Sequence, residues 1–214
     1  MIQVQKTIPI LIDRDAALLK TVLAFQAVKQ TISPIAFNEG NPLRAVPLQR
    51  ACYHQVKGSL NSQMTITALR LVAGAYESAK RNKRPAKAPF TFQRPSAMFL
   101  IGARGRDARF TKDGKISIWT VAGRKRISFT ISTGRSDIFS KAVEFDSLTV
   151  LIRNGKLEGK LTVTLEFPDA KGIHPVGVDL NETNALVATD TQGKTLFINS
   201  ALRRLPTSGG RGSN

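Results

Sequence analysis

Residues 113–131 read DGKISIWTVAGRKRISFTI. Ile116, Ile118 and Thr120 alternate with Ser117 and Trp119. After the Ala122–Gly123 turn pair, Ile127, Phe129 and Ile131 alternate again. A side-chain period of two around a tight turn is the pattern of an antiparallel hairpin with one buried face. The same reading extends both ways. FTFQRPSAMFLI (90–101) precedes it and VEFDSLTVLIRNGKLEGKLTVTLEF (143–167) follows it, the latter broken by Asn154–Gly155. From Phe90 to Glu166 the chain therefore reads as β throughout. Short hairpins joined by turn pairs predict an antiparallel barrel or sandwich.

Upstream the period changes. IQVQKTIPILI (2–12) reads as one strand, with Pro9 marking an edge position or a kink. DAALLKTVLAFQAVKQTIS (15–33) carries Leu18, Val22 and Phe25 on one helical face, with Asp13 or Asp15 as cap, and is expected to stop before Pro34. Residues 38–47 read as a loop and LQRACYHQVK (48–57) as a short helix. MTITALRLVAGAYESAKR (64–81) is a longer helix, expected to be capped by Ser62, with an apolar stripe of Met64, Ala68, Leu71, Val72 and Ala75 and with Leu69, Val72 and Tyr76 on its flank. Downstream, VGVDLNETNALVATD (176–190) and KTLFI (194–198) read as further strands. The Pro/Ser/Gly-rich tail LPTSGGRGSN is expected to be flexible.

The charge is the outlying property. Lys and Arg number 32 against 15 Asp and Glu, a formal net charge of +17 with a pI near 10.7. Such an excess repels itself unless a polyanion neutralises it. Nucleic acid or an anionic membrane surface could do so. No run of 18 apolar residues and no signal-peptide pattern favours the membrane. The lone Cys52 excludes an intrachain disulfide, and no CxxC pair offers structural zinc. An intracellular, cytoplasmic setting is expected, with Cys52 as a small buried apolar residue. Fourteen of the cations lie between residues 81 and 135, opposed there only by Asp107 and Asp113. Phe90, Phe92, Phe110 and Trp119 lie among them. Interleaved cations and aromatics suit a nucleic-acid strand held by its backbone and by stacking. In a barrel these aromatics can equally turn inward, and for Trp119 both destinations stay open.

Asp179 sits between Val178 and Leu180 on an apolar strand. A carboxylate there costs free energy unless it is paired or binds a cation. It can alternatively accept hydrogen bonds from the following turn. His54 and His174 have no partner at ligand spacing and read as structural, exposed or at most phosphate contacts. Glu144, Asp146 and Glu166 precede Asp179, the wrong chain order for a complete small nuclease of RNase H type.

Taken together, these segments resemble the TnpB (OrfB) transposon-encoded proteins and their descendants, the type V CRISPR effectors. GVDLNETNALVATD (177–190) is similar to the family's first RuvC motif. LNSQMTITALRLVAGAYESAKR (60–81) resembles its recognition-domain helix, and DGKISIWTVAGRKRISFTI its wedge hairpin. The resemblance implies an α+β fold: a β-barrel wedge domain (1–12 and 88–172), an inserted helical recognition domain (13–87), the first strands of an RNase H-like RuvC sheet (173–205), and a flexible tail (206–214). It implies a guide RNA and target double-stranded DNA as partners, in the nucleoid-associated cytoplasm of a prokaryote. Tyr53, Tyr76, Lys80, Arg81, Lys83 and Arg84 would meet the DNA. Lys87, Arg94, Arg104, Arg106, Arg109, Trp119, Arg124, Lys125, Arg126 and Arg135 would hold RNA. Asp179 would be the first carboxylate of a two-Mg²⁺ site. The later acids Glu182 and Asp190 do not replace the family's other two, and the sequence stops about 35 residues after Asp179. Cleavage by this polypeptide alone is therefore not expected, and a second polypeptide could complete the site. The alternative is a guide-independent RNA- or single-strand-binding barrel.

Overall fold

The computed structural model describes residues 1–102, 107–168, 176–179, 186–190 and 192–198. The chain forms two compact units, 1–167 and 168–214.

In the first unit a strand, β1 (Ile2–Ile12), leads into three helices, α1 (Ala16–Phe37), α2 (Ala45–Val56) and α3 (Ser62–Arg81). Six strands and one helix follow: β2 (Ser96–Leu100), β3 (Ala108–Phe110), β4 (Lys115–Thr120), β5 (Gly123–Ile131), α4 (Thr133–Ser140), β6 (Glu144–Arg153) and β7 (Lys156–Phe167). The seven strands make one antiparallel sheet in the order β2-β6-β7-β1-β5-β4-β3. A bridge between Ile101 and Ala108 joins its two outer strands, so the sheet is a nearly closed barrel. β1 pairs with β7 along its whole length but with β5 only at Ile10–Ile12. Pro9 thus falls where β1 has a partner on one side only, a place that tolerates its missing N–H.

Alternation decides what fills the barrel. Ile8, Ile10, Phe99, Ile116, Ile118, Leu148, Val150, Leu161 and Val163 are buried. Asn154 and Gly155 both adopt positive φ, 49° and 71°, in the two-residue turn joining β6 to β7, as a primed hairpin turn requires. Gly159 faces inward beneath Ile10. A Cβ there would stand 2.5 Å from the Ile10 side chain, so only glycine fits.

Local details depart from the sequence reading where packing overrides propensity. α1 runs through Pro34 and ends at Asn38, whose φ of 43° and N–H to the Pro34 carbonyl close it. Buried Ile32, Ser33 and Ala36 hold the turns around the proline. The α1 cap is Asp15, accepting from the Leu18 N–H at 2.8 Å. The α3 cap is Asn61 rather than Ser62, accepting from Met64. Leu71 is exposed, because the buried face of α3 runs through Met64, Ala68, Leu69, Val72 and Tyr76.

Residues 90–166 are not β throughout. Residues 133–140 are helical, and Phe139 of that helix completes an aromatic cluster with Phe110, Phe129 and Phe145. Residues 90–95 form no strand but a strap, held to α1 by Gln26, Gln30 and Ser33 bonding to the Phe92 and Phe90 carbonyls. Cys52 is buried, as expected, and donates to the Leu48 carbonyl.

One core runs through the helices and the barrel. Asp107, 1% exposed, sits at the barrel closure and accepts the Leu100 N–H at 3.2 Å. Burial raises its pKa, opposed by that hydrogen bond and by its other neighbours. The second unit holds a three-stranded antiparallel sheet in the order β10-β9-β8, from β8 (Val176–Asp179), β9 (Leu186–Asp190) and β10 (Thr195–Ile198). No helix among the described residues is long and apolar enough to cross a membrane.

Candidate nucleic-acid interface

Strand pairing sorts the cations by face. Across β3, β4 and β5, Arg109 lies opposite Ser117 and Ser117 opposite Arg126, while Trp119 lies opposite Arg124 and Lys115 opposite Ser128. Directly paired residues share a face of a sheet. Ile116, Ile118 and Ile127 take the inner one. Arg109, Lys115, Trp119, Arg124 and Arg126 therefore share the outer face, all of them exposed.

Next to the hairpin turn the Arg124 guanidinium lies 5.1 Å from the Trp119 ring centroid. Arg124 Nη1 also donates to the Ser117 carbonyl and hydroxyl, each at 3.3 Å. Partial desolvation and then the charge of Arg109 push the Arg124 pKa down, while Asp107 pulls it back up. Like charges held together on an open face favour an anion between them.

The second cluster ends α3. Lys80, Arg81, Lys83, Arg84 and Lys87 are all exposed. A cleft of about 510 Å³ opens beside them, lined by Pro42, Arg44, Tyr76, Glu77, Lys80 and Arg81. A second, of about 690 Å³, flanks the other side of the helix, with Ala79, Asn82, Arg84 and Phe92 in its wall. Arg44 and Lys115 join these clusters although the sequence reading did not select them as site residues. Arg44 stands alone in a loop-like stretch, and only the fold carries it to α3.

The remaining candidates divide. Tyr76 is corrected: it is 2% exposed, its hydroxyl bonds to Ser33 and the Phe90 N–H, and its ring stacks on Phe90 at 4.4 Å. It is a packing residue that ties α1, α3 and the strap together. Phe90, Phe92 and Phe110 are likewise taken up in packing against the core. Trp119 turns outward. Tyr53 is half-buried with its ring edge-on to His54. Lys125 is exposed but pairs with Ile118 on the opposite parity to Arg124. Arg94 borders a separate cleft with Leu151, Arg153 and Lys160, and Arg135 lies on α4. The basic stretch thus forms two clusters with outliers, not one uninterrupted row.

Arg104, Arg106, His174 and Glu182 lie outside the described residues, as does the Asp179 side chain. The Asp179 backbone ends β8 opposite Val187. Among the described residues no three His, Cys, Asp or Glu side chains gather as a metal site. Asp146 lies buried at a β-bulge, bonded to Thr164 and Gln5, and Glu166 accepts from Gln3.

No family model and no curated protein matches the chain. Among solved structures, the cryo-EM structure of a Cas12f1–sgRNA–target DNA complex aligns over 92% of this chain at 12% identity with a TM-score of 0.36. The alignment spans 57% of that protein's length.

Proposed function

We propose that this chain grips nucleic acid as part of an RNA-guided DNA-binding protein of the TnpB and type V CRISPR effector kind. The barrel face would hold guide RNA and the α3 end would meet DNA beside the target. The observation that carries the polyanion reading is the shared outer face of β3, β4 and β5, where Arg109, Lys115, Arg124 and Arg126 lie on the same face as Trp119. The guided reading is supported by the motif resemblances and by the order of elements. The first strand belongs to a barrel whose other strands follow a helical insertion, and a small sheet ending its first strand on Asp179 comes last.

Target sequence would then be read by base pairing, with the protein holding backbones. Each contacted phosphate adds close to one unit to the slope of log affinity against log salt. The test is purification from cells followed by sequencing of the bound RNA, and a salt titration of the stripped protein. One defined, structured RNA species and an affinity that falls steeply with salt are expected. A smear of cellular RNA favours the guide-independent barrel, and a flat salt response removes both.

Among the described residues no group of His, Cys, Asp or Glu side chains could hold two Mg²⁺ ions. Residues 1–214 would bind without cutting, because Asp179 is a single candidate carboxylate and two Mg²⁺ ions need more. Labelled target DNA should survive incubation with protein, guide and Mg²⁺. Cleavage that Asp179→Ala abolishes would overturn this.

A further inference from the structure

We propose that Trp119 and Arg124 form a stacking site for one unpaired nucleobase, with Arg109 and Arg126, level with Ser117 on the two flanking strands, holding phosphates beside it. This rests on the nucleic-acid reading above and adds which chemistry the barrel face selects.

The case starts from the cost of the arrangement. An indole 38% exposed on an outward strand position leaves apolar surface in water, while other aromatics of the basic stretch, Phe90, Phe92 and Phe110, pack against the core. β4 lies between β3 and β5, so the ring stands on the sheet rather than at its edge. Arg124 is anchored beside it by the two bonds to Ser117. A guanidinium and an indole together present the planar, cationic surface on which bases stack.

The cations have a matching spacing. Arg124 and Arg126 are two residues apart on one strand, a step of roughly 6.8 Å. Arg109 faces Arg126 across Ser117. A strand crossing β3, β4 and β5 at that level can meet Arg109 and Arg126 with its phosphates while placing a base on Trp119. A phosphate on Arg109 also weakens the repulsion it exerts on Arg124. Duplexes hide base faces in their own stack, so the site selects single strands, loops or splayed nucleotides.

Trp119 is the only tryptophan, so intrinsic fluorescence reports on this spot alone. The experiment titrates protein freed of nucleic acid at high salt with ten-nucleotide rA and dA strands, a duplex RNA and inorganic polyphosphate. Expected is strong quenching by the single strands and little by duplex or polyphosphate at matched occupancy. The rA and dA arms tell which sugar the site takes. Trp119→Ala should weaken single-strand binding roughly 5- to 100-fold, the effect of losing one stacked base, and leave polyphosphate affinity unchanged. Trp119→Phe should restore most of it. Equal quenching by polyphosphate, or an equal loss of polyphosphate affinity in Trp119→Ala, overturns the stacking site while the polyanion reading stands. If neither strands nor polyphosphate bind, both fall.

Discussion

The buried hydroxyl of Tyr76 shows how one atom can fix three segments. It meets the Ser33 hydroxyl and carbonyl and accepts the Phe90 N–H at 2.9 Å. Tyr76→Phe would leave that N–H without its partner, at a cost of about 1–3 kcal/mol. Urea unfolding should read this loss, with nucleic-acid affinity unchanged. Lys29 makes the opposite argument. It is 5% exposed, its ammonium bonds to Ser96 and lies near the Phe25 and Phe92 rings, and burial lowers its pKa to about 8 from 10.5. The folded-state value is depressed for a base. Between about pH 8 and 10.5 the unfolded chain therefore holds a proton that the folded chain has released. Stability rises with pH through that window. Lys29→Met should be the more stable protein at pH 7, by roughly 1–3 kcal/mol, and should lack this part of the rise. Denaturant melts of both proteins at pH 7 and 10 give the comparison.

At the scale of elements, the hairpin of β4 and β5 carries the interface because its turn lets two outward rows line up. Replacing Arg109 and Arg126 together by Ala removes two phosphate partners. It should flatten the salt slope for a single strand by about 1.4 units, read by anisotropy from low to moderate salt. The β hairpins, their turns and the presence of three helices before them were legible in the sequence, because most of each keeps one period and has recognisable punctuation, whereas the end of α1 and the start of α2 were not. α4 was not legible. TGRSDIFS has no apolar stripe, and its Phe139 packs into a cluster with Phe110, Phe129 and Phe145, which come from three different strands. The strap at 90–95 misled for the same reason: FTF has strand propensity, but its carbonyls bond to α1 side chains. The cations at the helix end and hairpin could be read as candidates. The partnership of Arg44 with Lys80 could not, because it exists only after α2 and α3 fold together. Tyr76 looked like a helix-end contact because periodicity gives the face of a residue but not what covers it.

At the scale of the whole molecule, helices and barrel share one core within residues 1–167. A chain of those residues should fold alone, unfold in one cooperative transition and keep the single-strand affinity of the barrel face. Circular dichroism melts and the fluorescence titration above check this. A melt in two steps would mean that the helical part folds separately from the barrel.

The same closure sets a problem of timing during synthesis. Ile2 pairs with Phe167 and Ile12 with Leu157, so the first strand made waits for the last strand of its unit. At ribosomal speeds of about 5–20 residues per second, that delay is roughly ten to thirty seconds. Throughout it IQVQKTIPILI is an unsatisfied apolar ribbon on a nascent polypeptide, open to self-association on crowded polysomes. Lys6 and Pro9, the charge and the ring that interrupt it, are the gatekeepers that keep it from sticking before its partner emerges.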